Sequence, residues 1–361
     1  MDAAHTLDLA AHVTDLTAAV CDIESVSGDE GPLADAVEVA LRKLEHLEVT
    51  RDGNCVVART HLGRPERVVL AGHLDTVPLS SAGNLPTWRE QGADGVELWG
   101  RGTVDMKGGV AVQLRLAAQL AEPNRDLTFI FYDCEEVESQ RNGLRRLAAT
   151  TPELLTCDFA VLLEPTGGLV EGGCKGTMRA DIRTSGVAAH SGRPWLGTNA
   201  IHAAAPVLKI LAEYQAREVD VDGLVYREGL SAVGIRGGAG NNVIPDECVV
   251  TVNYRFAPDR DESQAETHVR EIFDGYDVVV TDMAGGARPG LHLPLAQAFV
   301  AAIGGEVAGK QGWTDVARFA SLGIPAVNYG PGDPLLCHKD DEHCPVEELV
   351  AAEAALLRWL E

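Results

Sequence analysis

Short, uninterrupted apolar runs punctuate the first half of the chain. Arg67-Val68-Val69-Leu70-Ala71-Gly72, Leu127-Thr128-Phe129-Ile130-Phe131-Tyr132 and Phe159-Ala160-Val161-Leu162-Leu163 show no period-two alternation. Such runs read as strands buried on both faces. Between and before them lie stretches with helical spacing at 7–20, 29–47 and 107–121. Ser25-Val26-Ser27-Gly28-Asp29-Glu30 reads as a loop ending in a helix cap. Strands that alternate with helices in this way predict an α/β domain whose mixed sheet is flanked by helices.

The pattern changes near Gly176. Residues 177–184 alternate apolar and polar like a one-faced strand, and 199–216 read as one strong helix. Residues 229–236 and 248–256 look like half-exposed strands, 263–273 like a helix and 277–281 like a strand. The order β, α, β, β, α, β predicts a small α+β, ferredoxin-like domain inserted at 176–284. After Gly285 the α/β character returns, with helices over 294–303 and 346–360 and a strand at 326–329. The expected division is therefore 1–175 with 285–361, and 176–284.

Composition narrows the function classes. The 361 residues carry 54 acidic and 30 basic side chains, a formal charge of −24. That surplus argues against nucleic acid or an anionic membrane as partner. The start, Met1-Asp2-Ala3-Ala4-His5, has neither a basic nor an apolar leader segment, and no stretch approaches the ~20 apolar residues of a membrane helix. Eight scattered cysteines form no CxxC pair. They read as reduced thiols, which points to the cytoplasm.

Five places put ionisable side chains at or just past a predicted buried strand or in a nearby loop. In Gly72-His73-Leu74-Asp75-Thr76-Val77-Pro78, His73 and Asp75 share a side by the two-residue period. In Gly100-Arg101-Gly102-Thr103-Val104-Asp105-Met106-Lys107-Gly108-Gly109, Asp105 sits between a glycine-rich turn and a helix start. Tyr132-Asp133-Cys134-Glu135-Glu136 and Leu162-Leu163-Glu164-Pro165-Thr166 place acids after apolar runs. Buried acids are costly unless paired or metal-bound. His338 and Glu342 follow Gly330-Pro331-Gly332-Asp333-Pro334. Taken singly, each place also reads as a satisfied polar contact or a helix cap. Together, two His and several carboxylates converging on one sheet edge suit one or two divalent ions, zinc first, with cobalt or manganese open.

In this order the motifs HLDTVP, GRGTVDMKGG, a strand followed by EE, LLEPT and a late His after GPGDP resemble the M20 family of di-zinc peptidases and deacylases. The resemblance runs from about residue 7 to the C-terminus. It implies two Zn2+ per subunit, with Co2+ an alternative at one site. His73 and Glu164 would hold one ion, His338 and Glu136 the other, and Asp105 would bridge them. Asp75 would orient an imidazole. Glu135 would act as general base. Cys134 stands where many relatives have Asp, and both it and Cys337 read as packed thiols. The inserted domain would be a dimerisation lid, making a homodimer. His190, in Ala189-His190-Ser191-Gly192-Arg193-Pro194, would complete the oxyanion site in the partner subunit.

Within the family, Glu171-Gly172-Gly173-Cys174-Lys175-Gly176, Gly240-Asn241-Asn242-Val243-Ile244-Pro245, Asn253-Tyr254-Arg255-Phe256 and the HSGRPWLGTNAIH stretch resemble an actinobacterial branch. That branch hydrolyses N-succinyl-LL-2,6-diaminopimelate to succinate and LL-2,6-diaminopimelate, a step toward lysine and diaminopimelate. The substrate class implied is a small acyl-diamino acid. Its carboxylates call for cations, here Lys175, Arg255 and Arg318, with Asn241 as a hydrogen-bond donor. Trp313, in a loop that touches substrate in the family, departs from the small polar residues usual there. Acetylornithine deacetylation, or another aminoacylase or dipeptidase activity, is the alternative, because the metal motifs are shared. A metal-free binding relative and a cation store are the non-enzymatic readings. The complete donor set speaks against the first, and the lack of EF-hand spacing against the second.

Overall fold

A computed structural model describes residues 5–81, 83–93, 95–238 and 240–361. Residues 1–4, part of the leader reading above, lie outside them. The chain divides into two compact units. Met1–Gly173, Pro289–Ala308 and Arg318–Glu361 form the first, and Cys174–Arg288 with Gly309–Ala317 the second.

The first unit is built on a mixed sheet. Its strands run in the spatial order Glu48–Asp52, Cys55–Arg59, Asp126–Tyr132, Arg67–His73, Phe159–Leu162, Ala326–Asn328 and Val170–Gly172, with Val307–Gly309 at the far edge. The four strands from Asp126–Tyr132 to Ala326–Asn328 are mutually parallel. They are the continuous apolar runs, and almost every residue in them is buried. Helices Val13–Cys21, Lys107–Gln119, Pro294–Ile303 and Val346–Leu360 contribute apolar faces to the core. Phe299 packs edge-on against Trp359 with ring centroids 4.7 Å apart.

In the second unit a four-stranded antiparallel sheet has the order Gly229–Gly237, Glu247–Phe256, Gly176–Ser185, Asp277–Ala284. That is the ferredoxin-like order for a β-α-β-β-α-β chain. Ala200, Val207, Ala265 and Val269 from its helices pack on Ala180, Ile182, Val250 and Val252 of the sheet. The helix Glu262–Ile272 begins with a capping box between Asp261 and Gln264. The predicted single helix over 199–216 is instead two, Ala200–Ala203 and Ala205–Glu213. Pro206 lacks an N–H to continue the first helix and fits the opening turn of the second. The unit also takes in Gly309–Ala317, which the hydropathy pattern leaves with the α/β part. Lys175 N donates to Gly312 O (3.1 Å), and Trp313 Nε1 donates to Gly285 O (3.1 Å). Trp313 thus fastens its own loop.

Candidate metal centre

The parallel strands deliver the ionisable side chains. The chain runs up Arg67–His73, crosses by the Lys107–Gln119 helix to Asp126–Tyr132 on one side, then returns to Phe159–Leu162 on the other. The loops diverge between the first and third of these strands, a switch point where open α/β sheets place their sites. His73 ends its strand. Glu135 and Glu136 follow Tyr132, and Glu164 follows Leu162. The Lys107–Gln119 helix approaches closely because Gly109 has no side chain: a Cβ there would collide with the Leu163 carbonyl oxygen.

Asp105 lies at the middle of the cluster. His73 Nε2 is 3.2 Å from Asp105 Oδ1, and His338 Nε2 is 3.3 Å from Asp105 Oδ2. His338 Nε2 is also 3.0 Å from Glu136 Oε1. Ligand atoms of His73, Asp105 and Glu164 lie within 4.8 Å of one another, as do those of Asp105, Glu136 and His338. The two groups share only Asp105. A third group joins His73, Glu135 and Glu136. Imidazole and carboxylate donors in this ratio fit zinc and similar divalent ions.

The supporting contacts were only partly legible in the sequence. Asp75 is fully buried, and its carboxylate accepts from Ser27 Oγ (2.7 Å), Glu135 N (3.0 Å) and Glu136 N (3.0 Å). It stands 3.5 Å from His73 Nδ1, whose nearer partner is the Asp75 carbonyl at 3.0 Å. Asp75 therefore orients the two glutamates at least as much as the imidazole. Cys134 and His338 adopt φ of 57° and 64°, left-handed values that non-glycine residues seldom hold and that gather at functional sites. Cys134 N and Sγ both face Glu30 Oε1, at 3.2 and 3.4 Å. Burial, then the Glu30 charge, push its thiol up to about 12. Among the described residues, neither Cys134 nor Cys337 joins a donor group that contains His73 or His338. Glu30, which the sequence marked only as a cap, is the anchor of this turn.

The electrostatics are those of a charged, interlocked set. Burial opposes charge on Asp105, but hydrogen bonds to His338 and His73 outweigh it and hold its carboxyl far below the usual range. Burial likewise opposes charge on His73, and Asp105 and Asp75 reverse it. Burial and the Asp105 charge raise Glu136. Contacts with Asp105 and Glu136 push His338 up to about 10. A folded-state value above the unfolded ~6.5 stabilises the protein fully below that pH. The contribution fades as pH rises from ~6.5 through about 10. Metal-free protein is therefore expected to lose more thermal stability over that window than its His338→Ala variant does. Equal slopes in thermal melts with chelator present would contradict this.

The remaining candidates fall elsewhere. Arg318 Nη2 donates to Ser139 Oγ (3.2 Å), in the loop after Glu136. In the second unit, Lys175 Nζ donates to Arg227 O (2.7 Å), and burial followed by the Arg255 charge lowers its pKa. Arg255 Nε donates to Asn253 Oδ1 (3.0 Å). His190 is exposed, and its Nδ1 accepts from Gly192 N (2.9 Å). It pairs with Val243, and Ser191 N donates to Asn242 O, so His190 and Asn241 are on neighbouring segments. Lys175 and Arg255 thus lie at one end of the sheet, His190 and Asn241 beyond the other. Arg255 pairs with Gly229 and Cys248 with Gly237, so seven strand steps, about 23 Å, separate the two ends.

With this geometry in hand, the family can be stated. The sequence pattern described as Peptidase family M20/M25/M40 matches residues 69–361, and the chain belongs to that family. It is 56% identical over 357 residues, 98% of this chain and 99% of the relative, to the putative succinyl-diaminopimelate desuccinylase DapE of Mycobacterium tuberculosis. It is 47% identical over 365 residues, 98% and 97%, to the succinyl-diaminopimelate desuccinylase of Corynebacterium glutamicum. The solved tripeptidase of Staphylococcus aureus shares the fold, with TM-score 0.78 at 21% identity over 98% of each chain. So does Bacillus subtilis YxeP, described as a dinuclear metal-binding peptidase, with TM-score 0.69 at 16% identity over 96% of each chain.

Proposed function

We propose that this protein is a metal-dependent amide hydrolase that converts N-succinyl-LL-2,6-diaminopimelate and water to succinate and LL-2,6-diaminopimelate, in lysine and diaminopimelate synthesis. The observation that carries the reading is the end-to-end likeness to two desuccinylases. His73 with Glu164, and His338 with Glu136, would hold two zinc ions, with Asp105 the donor common to both groups. Bound there, such ions would polarise the scissile carbonyl and lower the pKa of water toward neutrality. The donor set on each side of Asp105 supports this assignment. Cobalt at one site is the variant the same donors admit.

The chain's own groups then divide the work. Glu135 takes a proton from water as its oxygen adds to the succinyl carbonyl carbon. It returns the proton to the amine nitrogen as the C–N bond breaks. Its backbone is fixed by Asp75. His190 donates to the oxyanion. Lys175, Arg255 and Arg318 bind substrate carboxylates, and Asn241 adds a hydrogen bond. No helix among the described residues is long and apolar enough to cross a membrane, and none of the eight cysteines forms a disulfide. We place the reaction in the cytoplasm, with neither nucleic acid nor membrane as partner. Purified zinc-loaded protein is expected to cleave the succinyl substrate with a far higher kcat/KM than N-acetylornithine. Equal or better cleavage of N-acetylornithine would overturn the assignment.

The spacing in the second unit favours a homodimer. A small substrate cannot reach residues at both ends of one sheet, so His190 and Asn241 can act with Lys175 and Arg255 only if another copy supplies one pair. Among the described residues the edge strand Gly229–Gly237 bonds to one neighbouring strand, and Val233 and Ile235 on it are 60% and 55% exposed. An open apolar edge is a template for pairing with a second copy. The protein is expected to sediment at twice its 38.4 kDa chain mass. Val233→Lys with Ile235→Glu should yield monomers that bind metal but turn over poorly. Fully active monomers would rule the dimer out.

A further inference from the structure

Glu342 is one of the most enclosed carboxylates of the first unit. Its side chain is 1% exposed and that of its partner Arg101 is 4% exposed, with Arg101 Nη1 donating to Glu342 Oε2 (2.8 Å). The other oxygen, Oε1, accepts three backbone N–H groups, from Gly102 (2.9 Å), Val104 (3.0 Å) and Asp105 (3.1 Å). These are three of the four N–H groups of the Gly102–Asp105 turn; the fourth, Thr103 N, donates to Gly100 O (3.2 Å). Arg101 Nη1 also donates to the carbonyl of Lys339, the residue after His338 (3.1 Å). Gly100 N donates to the Glu342 carbonyl (3.0 Å), and the next residue, His343, stacks on Trp99 with centroids 4.2 Å apart. Glu342 is therefore tied on both sides, to the Asp105 turn and to the His338 segment.

We propose that Glu342, with Arg101, is a positioning residue: its carboxylate sets the Gly102–Asp105 backbone and, through Arg101, the His338 segment, so that Asp105 Oδ2 and His338 Nε2 are presented together. This rests on the reading of those two atoms as donors to one metal ion. A buried ion pair adds little net stability by itself, because desolvation offsets the attraction. Hydrogen bonds that fix the turn ending in Asp105 and the carbonyl just after His338 have a clearer use. Groups that orient metal ligands typically change affinity or activity about 10–100-fold when replaced.

The test compares wild type with Glu342→Gln, Glu342→Asp and Arg101→Lys. Zinc content, competition for zinc by a chelator, kcat, KM and thermal midpoint are measured. Amide hydrogen exchange is followed in the metal-free proteins. In Glu342→Gln, one zinc is expected to bind about 10–100-fold more weakly and kcat to fall by a similar factor. KM should stay within about threefold of wild type. The amides of Gly102, Val104 and Asp105 should exchange faster while those of Asp126–Tyr132 stay protected. Glu342→Asp should recover part of the zinc affinity, because it restores the charge. A Leu349→Ala control, in the core beside this segment, should lower the thermal midpoint alone. Variants of Glu342 and Arg101 that bind both ions as wild type does, with only a lower midpoint, overturn the proposal. Wild-type protein that binds no zinc would instead overturn the metal reading on which it rests.

Discussion

Glu135→Gln is expected to bind its full complement of zinc and yet turn over the succinylated diamine on the order of 10²–10⁴-fold more slowly, the usual worth of a positioned general base. The geometry makes this separation sharp. Glu135 shares a donor group with His73 and Glu136 but belongs to neither of the two groups that meet at Asp105. Its backbone N–H donates to Asp75, and that bond survives the substitution. Glutamine keeps the size and the backbone anchor and removes only the group that can take a proton. KM should hold within a few-fold, and the thermal midpoint should change little. Loss of zinc together with activity would move Glu135 from proton carrier to ligand. Retained activity would leave the reaction without its base.

The parts of the fold that the sequence revealed are those where one physical demand dominates. Strands buried on both faces must be apolar throughout, so Arg67–His73, Asp126–Tyr132 and Phe159–Leu162 could be read directly. The helices Pro294–Ile303 and Val346–Leu360 carry clean stripes and were placed to the residue. Short, half-exposed strands carry no such signal. Glu48–Asp52 and Trp88–Gln91 with Val96–Trp99 went unread, and so did Cys55–Arg59, an apolar and mostly buried strand of only five residues. At the amino end the 7–20 stretch is helical only from Val13, where His12 Nδ1 caps Thr14 N. Apolar residues before that point pack without forming a helix.

The cluster at the sheet edge was legible for a related reason. An acid or imidazole just past an apolar run is an expensive anomaly, and three of them in one chain, with two more ionisable sites in nearby loops, are hard to explain as caps. The anchors were not legible. Glu30 and Glu342 act through backbone N–H groups far away in sequence, on Cys134 in one case and on Gly102, Val104 and Asp105 in the other. No spacing rule encodes such a contact. Glu342, in the polar stretch Lys339-Asp340-Asp341-Glu342, stands out in the sequence beside His338, but the backbone groups it holds become visible only in the fold. The net charge of −24 is misleading in the same way. Several of those acids, Asp75, Glu30 and Glu342 among them, are enclosed and hydrogen-bonded.

Asp105→Ala should fail in a different way from Glu135→Gln. Asp105 is the only residue common to both donor groups, and each of its oxygens faces a different imidazole. Its removal leaves His73 beside Glu164 and His338 beside Glu136, without the one carboxylate whose two oxygens face both imidazoles. Losing metal chemistry worth several kcal/mol lowers the rate on the order of 10³-fold or more. Both zinc ions should become removable by a weak chelator, and added zinc should not restore wild-type turnover. A second readout needs no metal. His338 owes its pKa of about 10 first to Asp105 and then to Glu136. In metal-free Asp105→Ala, its NMR titration should therefore shift down toward 6.5, held part of the way by Glu136. Glu135→Gln should leave that titration in place. If Asp105→Ala keeps two zinc ions and near-normal turnover, the shared-carboxylate arrangement is wrong. If zinc is lost but the His338 titration stays near 10, the contact between His338 and Asp105 is not the one that sets its charge.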